Sequence, residues 1–218
     1  MFVNPPLFSY VYYTKKLEEG CVIVEKNCSL ESLYDLSLIE IIEAHQNLPF
    51  LTESSVWRIT TQLIEMIKEL HDKNLIYRDL KPDNILISLD KTIGVFNLDR
   101  FSLVATDLDT VIDASQASNV WVGTTAYYPR DISKEKQGQH SDIYALGKIL
   151  EVLFEKNFED KLYIDEVDSI IIRMKSEDHT QRPTIDDVRA QFLALRPGYL
   201  FISDETVDCI SLKGCVIA

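Results

Sequence analysis

The chain has 218 residues, of which 46% are hydrophobic and 26% charged, a composition typical of one globular domain with a single buried core. Its formal net charge of -13 at pH 7 repels phosphate backbones and anionic lipid headgroups, which argues against nucleic-acid binding and against membrane attachment through a basic patch. Four cysteines, none at metal-ligand spacing, indicate a reducing cytosol, and neither a bilayer-spanning run nor a secretory signal is apparent.

Two β-branched and aromatic runs near the N-terminus predict a β-hairpin. SYVYYTKK (9–16) and CVIVEK (21–26) are separated by LEEG, which places Gly20 in the turn. Because an isolated hairpin is only marginally stable in water, we expect this one to lie on another surface.

The next two segments predict helices. Residues 29–47 have a mostly helical pattern, and a clearer helix follows Thr52, which is a plausible N-cap. Apolar residues recur at helical spacing in this second segment. They are Val56, Ile59, Leu63, Met66, Ile67 and Leu70.

A second small hairpin is predicted in NILISLDKTIGV, residues 84–95. From Asp99 to about Trp121 the chain shows no periodicity, so we expect a polar loop, which at this length is usually functional or mobile. Further helices are predicted at residues 141–157, 167–175 and 184–195.

The segment YRDLKPDN (77–84) closely resembles the catalytic loop of protein kinases, with Tyr77 in the usual His position. Other kinase motifs occur in family order from Tyr10 to about Leu195. CVIVEKNCSLESLYDL (21–36) resembles the strand, hinge and first helix that follow the ATP site, and VGTTAYYPRDI (122–132) resembles the end of the activation loop. HSDIYALGKIL (140–150) resembles the central helix, and DHTQRPTIDDV (178–188) resembles the signature of the last helix. The chain is therefore identified as a member of the eukaryotic-type protein kinase superfamily.

The resemblance implies an α+β fold, a protein-kinase-like C-terminal lobe that is mainly α-helical with two small β-hairpins. We expect one domain over residues 1–196, with a residual N-lobe hairpin and hinge at about 7–30 and the C-lobe at about 30–196, and then a tail at 197–218. The first strand resembles the one just before the hinge, and no G-x-G occurs among the seven glycines. The Gly-rich loop, the ATP-contacting lysine and its partner glutamate are therefore expected to be missing.

The resemblance also assigns chemical roles to residues of the catalytic loop. Asp79 matches the base that accepts the substrate hydroxyl proton, Lys81 the residue that steadies the transferred phosphoryl group, and Asn84 a metal ligand. The hinge positions that would contact the cofactor ATP are Val24, Glu25 and Asn27.

Four further positions match structural groups of the family. Arg78 and Asp142 match the pair that fixes the catalytic loop on the central helix, and Asp131 stands where a Glu usually pairs with the arginine at Arg182. For the chemical residues we weigh two interpretations. Either they serve residual catalysis, or their hydrogen bonds only brace the fold, which we favour.

One departure from the family pattern affects metal binding. Val95-Phe96-Asn97 stands where a kinase carries Asp-Phe-Gly, and Val95 has no atom that could hold Mg²⁺, although Asn97 or Asp99 offers an oxygen nearby. Phosphoryl transfer depends on charge stabilisation, and losing one such contact costs about 3–4 kcal/mol in the transition state. We therefore expect impaired catalysis, and leave binding of ATP and Mg²⁺ open.

The C-terminal residues match a lipidation motif. Cys215 begins CVIA, a C-a-a-X box whose terminal Ala favours a farnesyl group, and Cys209 is a candidate for a second, palmitoyl chain. The alternative is an idle thiol at a frayed terminus. A single lipid chain gives only marginal, reversible membrane binding. Prenylation predicts a eukaryotic or host-cell cytosol and the cytoplasmic face of its membranes.

Two functions follow from these observations. The leading hypothesis is a membrane-tethered pseudokinase that binds and modulates a protein kinase, a kinase substrate or another signalling partner, through exposed apolar surface or the edge of its N-terminal hairpin. The alternative is a weakly active or partner-completed ATP-dependent Ser/Thr protein kinase. A decayed gene product is a third interpretation, and a dimer is left open.

Overall fold

Five α-helices and seven short β-strands make up most of the residues that the computed structural model describes, which are 15–17, 21–23, 36–45, 52–89, 101–130, 132–155 and 164–195. The helices are α1 (Leu38–His45), α2 (Glu53–Asp72), α3 (Gln139–Glu155), α4 (Ile164–Met174) and α5 (Ile185–Leu195). The strands are β1 (Lys15–Leu17), β2 (Cys21–Ile23), β3 (Leu36–Ser37), β4 (Leu75–Ile76), β5 (Ile85–Leu89), β6 (Phe101–Ala105) and β7 (Ile112–Asp113). This is the α+β architecture that the sequence predicts.

The longest helix, α2, begins where its cap predicts. Thr52 has an extended backbone, and its side-chain Oγ1 accepts a hydrogen bond from the Ser55 N–H at 3.1 Å. A capping side chain satisfies one of the N–H groups that the first turn leaves unpaired. All six apolar positions predicted for this helix are buried, so the helix and its inward face are confirmed.

Aromatic packing joins α2 to the C-terminal half of the chain. The ring of Trp57 is buried and makes edge contacts with Phe154 of α3 and Phe192 of α5, at centroid distances of 5.5 and 6.0 Å. Edge-to-face arrangements match the charge distribution of aromatic rings, and such pairs add about 0.5–1.5 kcal/mol beyond burial. The three helices thus share one core that supports the strands and loops of the site.

The predicted helix at 29–47 is shorter in the structure. Ser37 ends β3, and α1 starts at Leu38 because the Glu40 side chain accepts hydrogen bonds from the Ser37 N–H and Oγ–H, both at 2.7 Å. The Glu40 N–H in turn lies 3.4 Å from Ser37 Oγ. This reciprocal capping box marks a helix start, and residues 29–35 and 46–47 lie outside the described residues.

The N-terminal hairpin is confirmed. Strands β1 and β2 pair antiparallel with Leu17 opposite Cys21, which leaves residues 18–20, including the predicted turn residue Gly20, to connect them.

The described partners of β5 differ from the predicted one. Strand β5 lies between β3 and β6, with Ile85 opposite Ala105 and Leu89 opposite Phe101, whereas the predicted partner, residues 92–95, lies outside the described residues. The strand β6 occupies part of the segment that the sequence predicted as an unstructured loop, and its residues Phe101, Leu103, Val104 and Ala105 are buried. Burial of this strand against α2 outweighs the weak local pattern.

A third small sheet also interrupts the predicted loop. Strand β7 pairs antiparallel with β4, Ile76 opposite Ile112, and short 3₁₀ turns at Leu108–Thr110 and Ala114–Gln116 flank it. The described part of the predicted loop, from Phe101 to Trp121, is therefore held by strand pairing with distant parts of the chain. Among the described residues, no helix combines the length and apolar character needed to cross a bilayer.

A buried ion pair links the residues before α3 to those before α5. The Arg182 guanidinium donates from Nη2 to Glu135 Oε1 at 3.1 Å, and both side chains are almost fully buried. Its Nε also donates to the Ser176 carbonyl at 2.8 Å. The sequence had assigned this role to Asp131, which lies outside the described residues. The carboxylate that the structure places against Arg182 is Glu135, four residues later.

Replacing the central tryptophan tests the shared core. Trp57→Ala is expected to lower the free energy of unfolding by about 3–5 kcal/mol, because a large buried ring is removed and a cavity remains. The control is Ile172→Ala on α4, a side chain that is 68% exposed, for which the change should stay within about 0.5 kcal/mol. Urea denaturation followed by circular dichroism measures both, and equal losses would contradict this packing.

A second pair of variants tests the buried ion pair. Arg182→Met is expected to destabilise the fold by about 3–5 kcal/mol, because it leaves the Glu135 charge buried without its partner. Arg189→Met removes the more exposed pair with Glu65 and should cost at most about 1 kcal/mol. Chemical denaturation gives both values. A loss at Arg182 no larger than that at Arg189 would show that Glu135 is not held as described.

Candidate active site

One buried carboxylate holds the loop that follows β4. Asp142 of α3 is 1% exposed, and its Oδ2 and Oδ1 accept hydrogen bonds from the backbone N–H groups of Tyr77 and Arg78 at 2.9 and 3.0 Å. The ring nitrogen Nε2 of His71 lies 3.1 Å from Asp142 Oδ2. These bonds hold Arg78 at a φ of 72°, which is uncommon outside glycine. The structure thus brings the predicted pair Arg78 and Asp142 together.

Asp79, Lys81 and Thr124 form a hydrogen-bonded group at the centre of the site. Asp79 is 7% exposed, and its Oδ1 accepts a hydrogen bond from the Thr124 hydroxyl at 2.8 Å. Lys81 Nζ donates to Thr124 Oγ1 at 2.9 Å and lies 3.3 Å from Asp79 Oδ2. A fixed carboxylate beside an ammonium can accept a hydroxyl proton, while the ammonium stabilises negative charge on a phosphoryl group.

Asn84 is tied to the same carboxylate. Its side-chain Nδ2 donates to the Asp79 carbonyl at 3.0 Å and to Asp79 Oδ2 at 3.1 Å. Both bonds are made by the amide nitrogen, so the amide oxygen Oδ1 takes part in neither of them. An amide oxygen is a ligand that Mg²⁺ accepts. The structure therefore brings three predicted residues, Asp79, Lys81 and Asn84, into one cluster.

The segment that carries Thr124 passes very close to the catalytic loop. Gly123 has a φ of +121°, and a Cβ atom there would lie only 2.5 Å from the Arg78 carbonyl oxygen. Gln137 bridges the two segments, because its Nε2 donates to the carbonyls of Arg78 and Val122 at 3.2 and 2.8 Å. A larger residue at Gly123 would push Thr124 away from Asp79.

A further carboxylate lies at the corner occupied by Asn84. Because β6 runs antiparallel to β5, its end returns to the start of β5, and the Thr106 N–H donates to the Asn84 carbonyl at 2.9 Å. The next residue, Asp107, is exposed and has a left-handed backbone with φ 54° and ψ 56°. Asp107 therefore lies one residue along the chain from the contact with Asn84, which the sequence predicts as a metal ligand.

The pairing of β5 with β6 affects which residue occupies the position of the metal-binding acid. The sequence placed that position at Val95, on the strand expected to follow β5, but the strand beside β5 is β6 and the acidic residue after it is Asp107. Val95 lies outside the described residues, together with Asn97 and Asp99. Asp107 was missed because the segment around it has no periodicity and its register depends on pairing with β5.

Carboxylates surround the buried phenol of Tyr77. Burial raises the pKa of Tyr77 well above its ordinary value, and the nearby charges of Asp107, Asp79 and Asp142 raise this pKa further. Burial also lowers the pKa of the Arg78 guanidinium, and Asp142 opposes that shift. The site is therefore rich in negative charge, and a cation would be attracted to it.

The donor set fits a cation that is bound together with phosphate. In the described part of the chain no cluster of three or more His, Cys, Asp and Glu residues could hold a metal ion by itself. Mg²⁺ is usually held by one or two protein ligands together with substrate phosphates and water. A carboxylate at Asp107 and an amide oxygen at Asn84 match that requirement, whereas a resident structural metal would need more ligands.

A small cleft lies beside Asp79. Its volume is about 10 Å³, room for roughly one water molecule. It is lined by Arg78, Asp79, Leu80, Trp121, Thr124, Tyr127, Tyr128, Gln137, Ser141 and Ala145. The cleft formed by the described residues is therefore too small to enclose a nucleotide. The predicted hinge residues Val24, Glu25 and Asn27, and the cysteines Cys209 and Cys215, lie outside the described residues.

Sequence reasoning missed several residues that complete the site. Gly123 and Thr124 belong to VGTTAYYPRDI, the segment that resembles the end of the activation loop, so its GT dipeptide could have pointed to them. Gln137, His71 and Glu135 carry no local signal, because their roles come from hydrogen bonds to residues 59, 71 and 47 positions away.

Comparisons with known proteins agree with this geometry. The family model described as protein kinase domain matches residues 9–195. The chain is 26% identical to the serine/threonine-protein kinase Nek8 of Danio rerio over 208 residues, which is 85% of this chain and 28% of that protein. It is 32% identical to the serine/threonine-protein kinase PDK1 of Cryptococcus neoformans over 114 residues, 52% of this chain and 9% of that protein.

A third relative is the serine/threonine-protein kinase nekl-2 of Caenorhabditis elegans, 35% identical over 107 residues, which is 49% of this chain and 28% of that protein. The chain thus spans less than a third of the length of these curated relatives. Since the family model covers most of the chain and the catalytic-loop residues meet in one cluster, this chain belongs to the protein kinase family.

Proposed function

We propose that this chain takes part in ATP-dependent phosphoryl transfer to a serine or threonine hydroxyl, with the nucleotide side of the site completed by a partner or by residues outside those described. The observation that carries the proposal is the contact of Asp79 with Lys81, Thr124 and Asn84, with Asp107 directly after the residue that contacts the Asn84 carbonyl. The names of the relatives support the substrate class, since Nek8, PDK1 and nekl-2 are serine/threonine kinases. Of the two functions expected from the sequence, the geometry therefore favours the alternative.

The residues have separate tasks in this reaction. Asp79 accepts the proton of the attacking hydroxyl, and the hydrogen bond from Thr124 holds its Oδ1 in place. Lys81 brings a positive charge to the transferred phosphoryl group, which lowers the barrier because charge on its oxygens is stabilised by a preorganised cation. Thr124 accepts from Lys81 and donates to Asp79, so it sets the spacing of both groups.

Asn84 and Asp107 would hold Mg²⁺ together with the nucleotide phosphates. The ion would neutralise phosphate charge during the transfer. The protein's own contribution is positional, because Asn84 is fixed by its bonds to Asp79, and Asp107 by the contact of Thr106 with Asn84.

A second candidate is a binding function without catalysis, the pseudokinase expected from the sequence. Its support is the exposed apolar surface of the segment beside the site, where Val120 is 69% exposed and Ile132 also faces solvent. Exposed apolar groups of this kind are frequent at protein–protein contacts. In this case the chain would dock on a kinase or a kinase substrate and change its activity, and replacement of Asp79 would leave that effect intact.

We also propose that Cys215 carries a farnesyl group and that the chain works at the cytoplasmic face of a membrane. The support is the CVIA sequence at the end of the chain, and Cys209 offers a position for a second lipid. Since the tail before it contains Asp204, Glu205 and Asp208 but only Lys213 as a cation, electrostatics would add little to a lipid anchor.

Metal-dependent nucleotide binding tests the main proposal. The full chain is expected to be stabilised against thermal unfolding by ATP with Mg²⁺ more than by ATP with a chelator. Asp107→Asn should weaken the Mg²⁺-dependent part about tenfold, because a charged ligand becomes neutral. Asp109→Asn, two residues along the same segment, is the matched control and should change nothing.

The result also separates the two assignments of the metal-binding acid. If Val95→Asp strengthens Mg²⁺-dependent binding while Asp107→Asn leaves it unchanged, the acid position is that of Val95. No stabilisation at millimolar nucleotide would contradict the kinase proposal and favour the binding function.

Lipidation is tested by expressing the full chain with farnesyltransferase and farnesyl diphosphate. Mass spectrometry is expected to find one farnesyl group on the wild type and none on Cys215→Ser, because the thiolate of Cys215 is the acceptor. Cys209→Ser is the control and should be modified like the wild type. An unmodified wild-type chain would show that the C-a-a-X box is not used.

A further inference from the structure

Gln137, two residues before α3, has a buried side-chain amide that is hydrogen-bonded to backbone groups on every side. The residue is 2% exposed, and its Oε1 accepts from the Val122 N–H at 3.0 Å. Its Nε2 donates to the carbonyls of Val122 and Arg78 at 2.8 and 3.2 Å. These bonds use both N–H donors and the oxygen of the amide. They also fix its orientation, since a flipped amide would turn its oxygen toward two carbonyls.

Gln137 binds Val122 in the way that a neighbouring strand would. The amide pairs with both the N–H and the carbonyl of this one residue, which is the pattern of a hydrogen-bonded pair in an antiparallel sheet. Gly123 and Thr124 follow directly, and the Thr124 hydroxyl donates to Asp79 Oδ1 at 2.8 Å. Because both polar groups of Val122 are held, the backbone that leads to Thr124 starts from a fixed point.

The catalytic loop is held at Arg78 from both ends of the residue. The Arg78 N–H donates to Asp142 Oδ1 at 3.0 Å, and its carbonyl accepts from Gln137 at 3.2 Å. Arg78 has a φ of 72°, a conformation uncommon outside glycine that persists where its surroundings fix it. Its carbonyl belongs to the peptide unit that leads into Asp79. The bond from Gln137 therefore orients the backbone immediately before the proposed base.

The backbone around Gln137 is itself well anchored. Glu135, two residues earlier, is bound to the buried Arg182 guanidinium at 3.1 Å. One residue later, the Gly138 N–H donates to Ser141 Oγ at 3.1 Å, which ties it to the first turn of α3. The amide of Gln137 thus extends from a fixed stretch of chain toward two segments that meet at Asp79 and Thr124.

We propose that Gln137 is a positioning residue for phosphoryl transfer, whose single amide sets the distance between Asp79 and Thr124. It does so by holding the peptide before Asp79 and the backbone of Val122 together. This inference rests on the proposed function of the site. Gln137 contacts backbone groups and none of the reacting atoms, so it acts on the rate of transfer through the geometry of Asp79.

The first test keeps the length of the side chain and removes its amide. Full-length Gln137→Met, assayed for phosphate transfer from ATP with Mg²⁺ to a serine- or threonine-containing peptide, is expected to lose kcat about tenfold to hundredfold. A small displacement of reacting groups has an effect of that size. The KM for ATP should stay within about twofold, because Gln137 contacts no group proposed to bind the nucleotide. A raised KM with an unchanged kcat would overturn the proposal.

The matched control is Gln62→Met on α2. The Gln62 amide also holds a backbone segment, since its Nε2 donates to the Phe101 carbonyl at 3.2 Å and its Oε1 accepts from the Leu103 N–H at 2.8 Å. That segment is the beginning of β6, so this variant should have a lower Tm but a kcat within about twofold of the wild type. An equal loss of kcat in both variants would leave Gln137 only a structural role.

Gln137→Glu tests the N–H donors with little change of shape. An ionised carboxylate only accepts hydrogen bonds, so it would face the Arg78 and Val122 carbonyls without a donor, whereas the protonated form can donate to one of them. Burial raises the pKa of a carboxyl group, and the ratio of kcat to that of the wild type should therefore rise as the pH falls through this pKa. A ratio that is constant with pH would contradict the donor role.

Hydrogen exchange separates failure of this inference from failure of the proposed function. The Val122 N–H should exchange slowly in the wild type and about tenfold faster in Gln137→Met, because its acceptor is gone. If the wild type transfers no phosphate, the proposed function fails and this inference with it. If the wild type is active but its Val122 N–H is unprotected, or Gln137→Met has the same kcat, the inference alone fails.

Discussion

The carboxylate of Asp142 accepts hydrogen bonds from two backbone N–H groups, and the rest of the site depends on this interaction. A buried carboxylate is unfavourable unless its oxygens are hydrogen-bonded, and here Tyr77 and Arg78 supply those bonds from the loop. The loop is thereby bound to α3, whose apolar face lies in the main core. With the backbone fixed at Arg78, the following residue Asp79 projects toward Thr124 instead of moving freely in solvent.

The second constraint is the antiparallel return of β6 to β5. Antiparallel pairing brings the end of one strand to the start of its neighbour, so the residue after β6 must lie near Asn84. Lys81 and Asn84 lie in the catalytic loop itself, whereas Asp107 comes from the residues after β6. Lys81 and Asn84 follow Asp79 within five positions, so most of the reacting groups come from one short stretch of the chain. Only Asp107 and Thr124 are brought to the site by the tertiary fold.

This distinction explains how much the sequence could predict. Helix α2 was predicted with its cap and inward face, because helical periodicity and capping are local properties of the chain. The catalytic loop was found because its residues are contiguous. Strand β6 was missed, since eleven residues separate it from β5 and its pairing is decided by burial against α2. The same pairing puts Asp107 after the strand that lies beside β5, a position that the sequence assigned to Val95. Glu135 could not be recognised as the partner of Arg182, because the two are 47 positions apart in the chain.

The charges of the site argue for a cation as part of its working state. Asp79, Asp107 and Asp142 all act on the buried phenol of Tyr77, and Lys81 is the ammonium bound within this group. Asp142 is compensated by backbone N–H groups and Asp79 by Lys81 and Thr124, whereas Asp107 is exposed and stands at the edge of the cluster. Because the Asp107 side chain is exposed, its left-handed backbone conformation adds no stability to the core. Backbone strain of this kind is often found at functional sites, and Asp107 directly follows the residue that contacts the Asn84 carbonyl.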